Sequence, residues 1–176
     1  MLKINGFMGN PSKFSDQENQ EINVESERII NLLKQAIGVP MKEIPAPPFT
    51  QWLNGKLLSV SRGEIEIEFI ARPEMANPAR VLHGGAQSAI LDDTIGVTCA
   101  TLGYKGFLIT IDFYITFLGR IPVNSVIRAH GKIIREGKNI IHAVATISSV
   151  DGQLYAQGSS NLLRTEIRPD YLKQDN

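Results

Sequence analysis

Beyond residue 106 the sequence shows alternation and no helical pattern. Ile109, Ile111, Phe113, Ile115 and Phe117 recur at period two, and residues 123–135, 139–150 and 153–164 continue as strand-like runs joined by Glu136-Gly137-Lys138 and Asp151-Gly152 turns. Residues 64–69 alternate as strictly, and Ser61-Arg62-Gly63 turns them back on residues 57–60 as a hairpin. Between hairpin and strands lies one long apolar run, residues 85–102, closed by Gly103. A hairpin, one helix apolar on most sides and a meander of four longer strands predict an α+β fold in which an antiparallel sheet curls around the helix.

That helix carries the chemistry. It opens on His83-Gly84-Gly85, and Asp92 and Asp93 lie within it among Ile90, Leu91, Ile95 and Val97. Glycines suit a tight helix entry, whose unpaired N–H groups and positive dipole end favour an anion or a polarised carbonyl oxygen. A carboxylate among apolar neighbours is costly to bury without a partner, so its presence calls for a reason, and catalysis is one. Adjacent side chains on a helix diverge by about 100°, so only one of the two aspartates can face a given substrate. The spacing of nine from His83 favours Asp92.

The rest of the chain narrows the class. Eighteen basic residues balance eighteen acidic ones, which argues against nucleic acid or an anionic membrane as partner. Residues 1–10 lack a charged segment followed by an apolar stretch, and no run has the length of a membrane span; the expectation is a soluble, cytoplasmic protein. The single cysteine, Cys99, excludes an intramolecular disulfide framework and reads as a small core residue. His130 and His142 sit in predicted strands without metal-ligand spacing, so neither a metal nor a cofactor is expected. Residues 1–20 are polar and aperiodic; residues 23–37 place Ser26, Ile29, Ile30, Leu33 and Ile37 on one helical face. Pro40, Pro45, Pro47 and Pro48 then predict a stiff extended connection, followed by a short turn carrying Trp52. The reading divides the chain into an extension, 1–55, and a domain, 56–176.

With Asn77 six residues before His83, Asp92 nine after it and Thr110 in Leu108-Ile109-Thr110-Ile111-Asp112-Phe113, residues 56–165 resemble the hot-dog-fold acyl-CoA thioesterases, in particular the phenylacetate-pathway type. The resemblance implies that Gly84 N–H holds the thioester oxygen as it gains charge, that Asn77 assists with that oxygen or the water, and that His83 shapes the pocket near the sulfur. It implies that Asp92 serves as general base or as nucleophile, with Thr110 orienting the water. Gly85 and the turn residues Arg135, Gly137 and Lys138 would contact coenzyme A; residues 120–138 carry Arg120, Arg128, Lys132, Arg135 and Lys138 against Glu136 alone. It further implies a homodimer as the minimal unit, a homotetramer beyond it, and sites shared between subunits. Hydratase relatives place a His shortly after the helix Asp, and none follows Asp92 before His130. A DNA-binding regulator needs more elements than the extension holds. A non-catalytic acyl-CoA binding or sensing protein is the remaining alternative.

Overall fold

The computed structural model describes residues 14–167. The reading of residues 1–10 as lacking a targeting segment lies outside the described residues. Helix α1, Asp16–Gln35, starts earlier than periodicity alone predicts. Ser15 caps it by accepting from Glu18 N–H, while Glu18 reaches back to Ser15 N–H. This capping box satisfies two helix-end donors and places negative charge at the positive end of the dipole. Ile22 and Ser26 are buried, and Ser26 Oγ donates to Thr101 O at 2.6 Å. The proline-rich connection is not wholly extended: Met41–Glu43 forms a 3-10 turn, and α2, Pro48–Leu53, is a short helix with proline at its first position, where the missing N–H is harmless.

Strands β1, Lys56–Ser61, and β2, Glu64–Ile70, form the expected hairpin, followed by a loop and α3, Gly84–Ala100. The remaining strands are β3, Leu108–Phe117, β4, Val126–Glu136, β5, Ile140–Ser149, and β6, Leu154–Arg164. All pairings are antiparallel, in the order β1-β2-β4-β5-β6-β3. Only β4, β5 and β6 form a meander. The predicted four-strand meander fails because α3 crosses the sheet and delivers β3 to the far edge beside β6, and the chain then returns to pair β4 with β2.

The sheet wraps α3, as in the hot-dog fold. Ile90, Leu91 and Ile95 are fully buried against Ala129, Ala143, Ala145 and Ala156, small residues that let the helix approach. The approach is closest at Gly131, where an added Cβ would lie 2.2 Å from Thr98 Oγ1. Thr94 and Thr98, both buried, donate to the carbonyls of Ile90 and Thr94 at 2.6 and 2.7 Å, so no hydroxyl is stranded in the core. Burying each large aliphatic side chain here contributes roughly 1.5–3 kcal/mol.

One irregularity matters for function. The register of β3 on β6 shifts between Thr110 and Asp112, a bulge that changes which side chains face the helix. Thr110 lies opposite Leu162 on the helix side, and beyond the bulge Phe113 and Phe117, opposite Ser160 and Ala156, lie on that side. Ile109 and Ile111 therefore do not share a face with Phe113, as unbroken alternation had predicted.

Candidate active site

His83 is the N-cap of α3, and the first turn uses nearly all its donors internally. Gly85 N–H donates to His83 Nδ1 at 2.8 Å, and the N–H groups of Ala86 and Gln87 both donate to His83 O. Among the described residues, only Gly84 N–H at this helix start lacks a partner, so one uncommitted donor remains at the positive end of the dipole. Because His83 Nδ1 accepts, its proton sits on Nε2, and the exposed ring edge offers a donor rather than a base.

The loop ahead of α3 is folded back beside it. Ala76 pairs with Leu82, and His83 N–H donates to Met75 O at 2.8 Å, which carries Asn77 alongside the helix entry. Asn77 Oδ1 accepts from Ala79 N–H at 2.9 Å and Val81 N–H at 3.3 Å. This is an Asx turn. The Nδ2 group has no partner among the described residues, so Asn77 shapes the loop with one atom and retains donors on the other.

Asp92 does not lie buried among apolar neighbours. Ile90, Leu91 and Ile95 turn inward, and Asp92 stands exposed on the opposite side of α3 in line with Gly85 and Gly96. Thr110 Oγ1, brought to the helix side by the bulge, donates to Asp92 Oδ1 at 3.4 Å. Along the helix Gly84 and Asp92 are eight residues apart, about 12 Å. One chain cannot place both on one thioester carbonyl.

Asp93 is the half-buried aspartate. Its Oδ1 accepts from Thr50 Oγ1 on α2 at 2.6 Å, and its Oδ2 is buried without a partner. Burial pushes this carboxyl above the usual aspartate range; the Thr50 hydrogen bond opposes the shift and the neighbouring Asp92 charge adds to it. The folded-state value is raised, so the stability linked to this group is fully present below the unfolded value and is lost as pH rises through the folded one. Asp93→Asn should therefore melt above the parent at neutral pH and equal it once the pH falls below the ordinary aspartate range. Calorimetry across pH checks this; a pH-independent difference would contradict it. Thr50 has no signal in the sequence, because its partner is 43 positions away. Cys99 is buried and its thiol is pushed up to about 12, in keeping with a core residue.

The basic segment divides in two. Lys138 lines a cavity of about 540 Å³, together with Gly106, Asn139, Thr165 and Arg164. Arg135 lies outside that lining, opposite His142 on the outer face of the sheet. Gly137 makes the turn possible: its N–H donates to Ile140 O, and a Cβ there would lie 2.2 Å from that oxygen. Arg164, which carries no functional signal in the sequence, lies against the tilted rings of Phe14 and Tyr104, 4.5 and 4.4 Å from their centroids.

A family model described as Thioesterase superfamily matches residues 79–156. A protein of Thermoplasma acidophilum assigned as an esterase is 31% identical over 93 residues, covering 53% of this chain and 68% of that protein. The chain belongs to the thioesterase superfamily. A solved structure from Ralstonia eutropha JMP134, assigned as a thioesterase related to phenylacetic acid degradation, superposes on this thioesterase with a TM-score of 0.65 at 25% identity, covering 77% of this chain and 98% of the other. A Streptococcus mutans UA159 protein solved with acetyl-CoA shares the fold at a TM-score of 0.64 and 17% identity, covering 72% and 97%. This chain is a thioester hydrolase of the hot-dog, phenylacetate-pathway type. Among the described residues no group of His, Cys, Asp and Glu is arranged to hold a metal ion, and no helix is long and apolar enough to cross a membrane.

Proposed function

We propose that this thioesterase hydrolyses acyl-CoA, using a site completed by two subunits. The observation that carries the reading is the unpaired Gly84 N–H at one point of α3 and the exposed Asp92–Thr110 pair about 12 Å away. A second copy would bring its Asp92 to the first copy's helix entry. The edge strand β3 supports this: it is ten residues long, with Ile109, Ile111, Tyr114 and Phe117 exposed. A long, apolar, unpaired edge is a template for another strand.

In the shared site the thioester carbonyl oxygen accepts from Gly84 N–H, and Asn77 Nδ2 supplies a second donor. Each such donor is worth on the order of 3 kcal/mol as charge develops on the oxygen. His83 lines the pocket with its Nε2–H toward the sulfur, and Gly85, lacking a side chain, leaves room for the pantetheine arm. In one route Asp92 takes a proton from a water held by Thr110; hydroxide adds to the carbonyl carbon, the C–S bond breaks, and the proton returns to the coenzyme A thiolate. In the other, the Asp92 carboxylate attacks, expels the thiolate and forms an anhydride that water then opens. Neither route needs a metal or a cofactor. Gly137, Lys138 and Arg164 receive the phosphates, with Arg135 at the outer rim of the same turn. Association into dimers, and of dimers into tetramers, completes the proposal.

The test is release of free thiol from a panel of aryl and fatty acyl-CoAs, followed with a colorimetric thiol reagent. Turnover on part of the panel is expected. Tight acyl-CoA binding without thiol release would overturn the reading in favour of a binding protein.

A further inference from the structure

The cavity that contains Lys138 is not built from the matched segment alone. Its wall includes Phe14, just ahead of the α1 cap, and Glu18 in the first turn of α1. α1 is fixed in place: Ser26 bonds Thr101 O, Lys105 pairs with Glu21, and a Cβ on Gly103 would lie 2.3 Å from Ile22 O. The helix is locked onto the α3–β3 connection, whose Gly106 forms part of the cavity. The Arg164 guanidinium sits in the corner formed by the tilted rings of Phe14 and Tyr104, whose centroids are 6.2 Å apart, and Tyr104 is itself anchored by donating its hydroxyl to Glu136 at 2.7 Å. Arg164 and Lys138 form no ion pair among the described residues, whereas Lys105 is neutralised by Glu21. Of the acidic wall residues, Glu18 is engaged in capping α1 and Glu166 is exposed. The cavity thus offers two uncommitted cations and an aromatic face, within the size range of small-molecule sites, roughly 300–1,000 Å³.

Those features match one chemistry, a phosphate-bearing nucleotide: cations for phosphate oxygens and an Arg–aromatic surface for a planar base. Gly106 and Thr110 are separated by four residues, at most about 14 Å of chain. The cavity therefore lies within an extended pantetheine arm of Asp92. We propose that the entry to α1, through Phe14 just ahead of its cap, completes the nucleotide site and makes this enzyme select thioesters of coenzyme A over those on a phosphopantetheine arm lacking the nucleotide. The proposal rests on the acyl-CoA reading above. Phe14 is a specificity-determining residue in it, acting by packing against Arg164 and by offering its ring to the base.

The experiment compares acyl-CoA with acyl-phosphopantetheine carrying the same acyl group, using the full chain. The parent should show a KM for acyl-CoA about tenfold or more below that for acyl-phosphopantetheine, equivalent to about 1.4 kcal/mol. Phe14→Leu and Arg164→Gln should each raise the acyl-CoA KM about three- to tenfold at unchanged kcat, and leave acyl-phosphopantetheine unaffected. Phe14→Tyr should behave as the parent, and so should Lys34→Gln, which removes a charge from the far end of the same helix. Equal KM values for both substrates in the parent would overturn the proposal while leaving the hydrolase reading intact. A Phe14→Leu loss shared by both substrates would also overturn it, as a structural effect. If the parent hydrolyses neither substrate, the acyl-CoA reading fails and this inference with it.

Discussion

Replacing Asp92 by asparagine should lower kcat about 100- to 10,000-fold, the range associated with loss of a general base, while the protein melts as the parent does. The amide is isosteric and still accepts from Thr110, so local geometry persists. What disappears is the charge that takes a proton or attacks the carbonyl. Stability should hardly change because Asp92 is exposed and lies outside the core. Asp93→Asn is the internal control: its side chain is turned toward Thr50, so its effect should appear in melting temperature and only weakly in turnover. Steady-state kinetics on both variants decide the matter. Similar, small losses in the two would remove Asp92 from the proposed chemistry.

The sequence was most legible where structure is local. Hairpin β1–β2, the entry of α3 and the strand runs follow from turn residues and periodicity within a few positions. The start of α1 was equally legible, since Ser15 and Glu18 stand at capping-box spacing; hydrophobic periodicity alone missed it because the first turns bury little until Ile22. The order of strands was not legible. Each strand carries the same alternating code, and which one reaches the edge is decided by where the 17-residue α3 deposits the chain. The bulge in β3 left no local mark either, because it is a mismatch with β6 about 50 residues away.

The candidate site shows the same division. His83, Gly84 and Asp92 could be selected from spacing, yet the sequence suggested a buried Asp92, and the structure exposes Asp92 and half-buries Asp93. Neighbours along the chain are a poor guide on a helix, where a step of one residue turns the side chain by about 100°. Thr50, Phe14 and Arg164 act across long sequence separations, and only the fold brings them to α3 and to the cavity. The 12 Å helical separation of Gly84 and Asp92 was implicit in the motif from the outset. It becomes an argument about assembly once both groups are seen to face open surface.

Two inactive variants should therefore restore activity when mixed. Asn77→Asp retains the oxygen that accepts from Ala79 and Val81 N–H, so the loop stays formed, but it loses the Nδ2 donor and adds a charge where the oxyanion forms. Asp92→Asn loses the opposite half. In a two-fold dimer whose sites each combine Asn77 and Gly84 of one chain with Asp92 of the other, a hybrid holds one site with both defects and one with neither. Random exchange of equal amounts makes about half the dimers hybrid, so about a quarter of the parent's sites are rebuilt. Thiol release should rise toward that level as subunits exchange, with exchange followed independently by mass spectrometry of differently labelled chains. The two single variants set the baseline, and a chain carrying both substitutions, mixed with an equal amount of parent, should lower thiol release to about half of the parent's own share, because every hybrid site then carries one defect. Hybrids that form and remain inactive would mean that each site lies within one chain, and the distance between Gly84 and Asp92 would then demand a different catalytic pair.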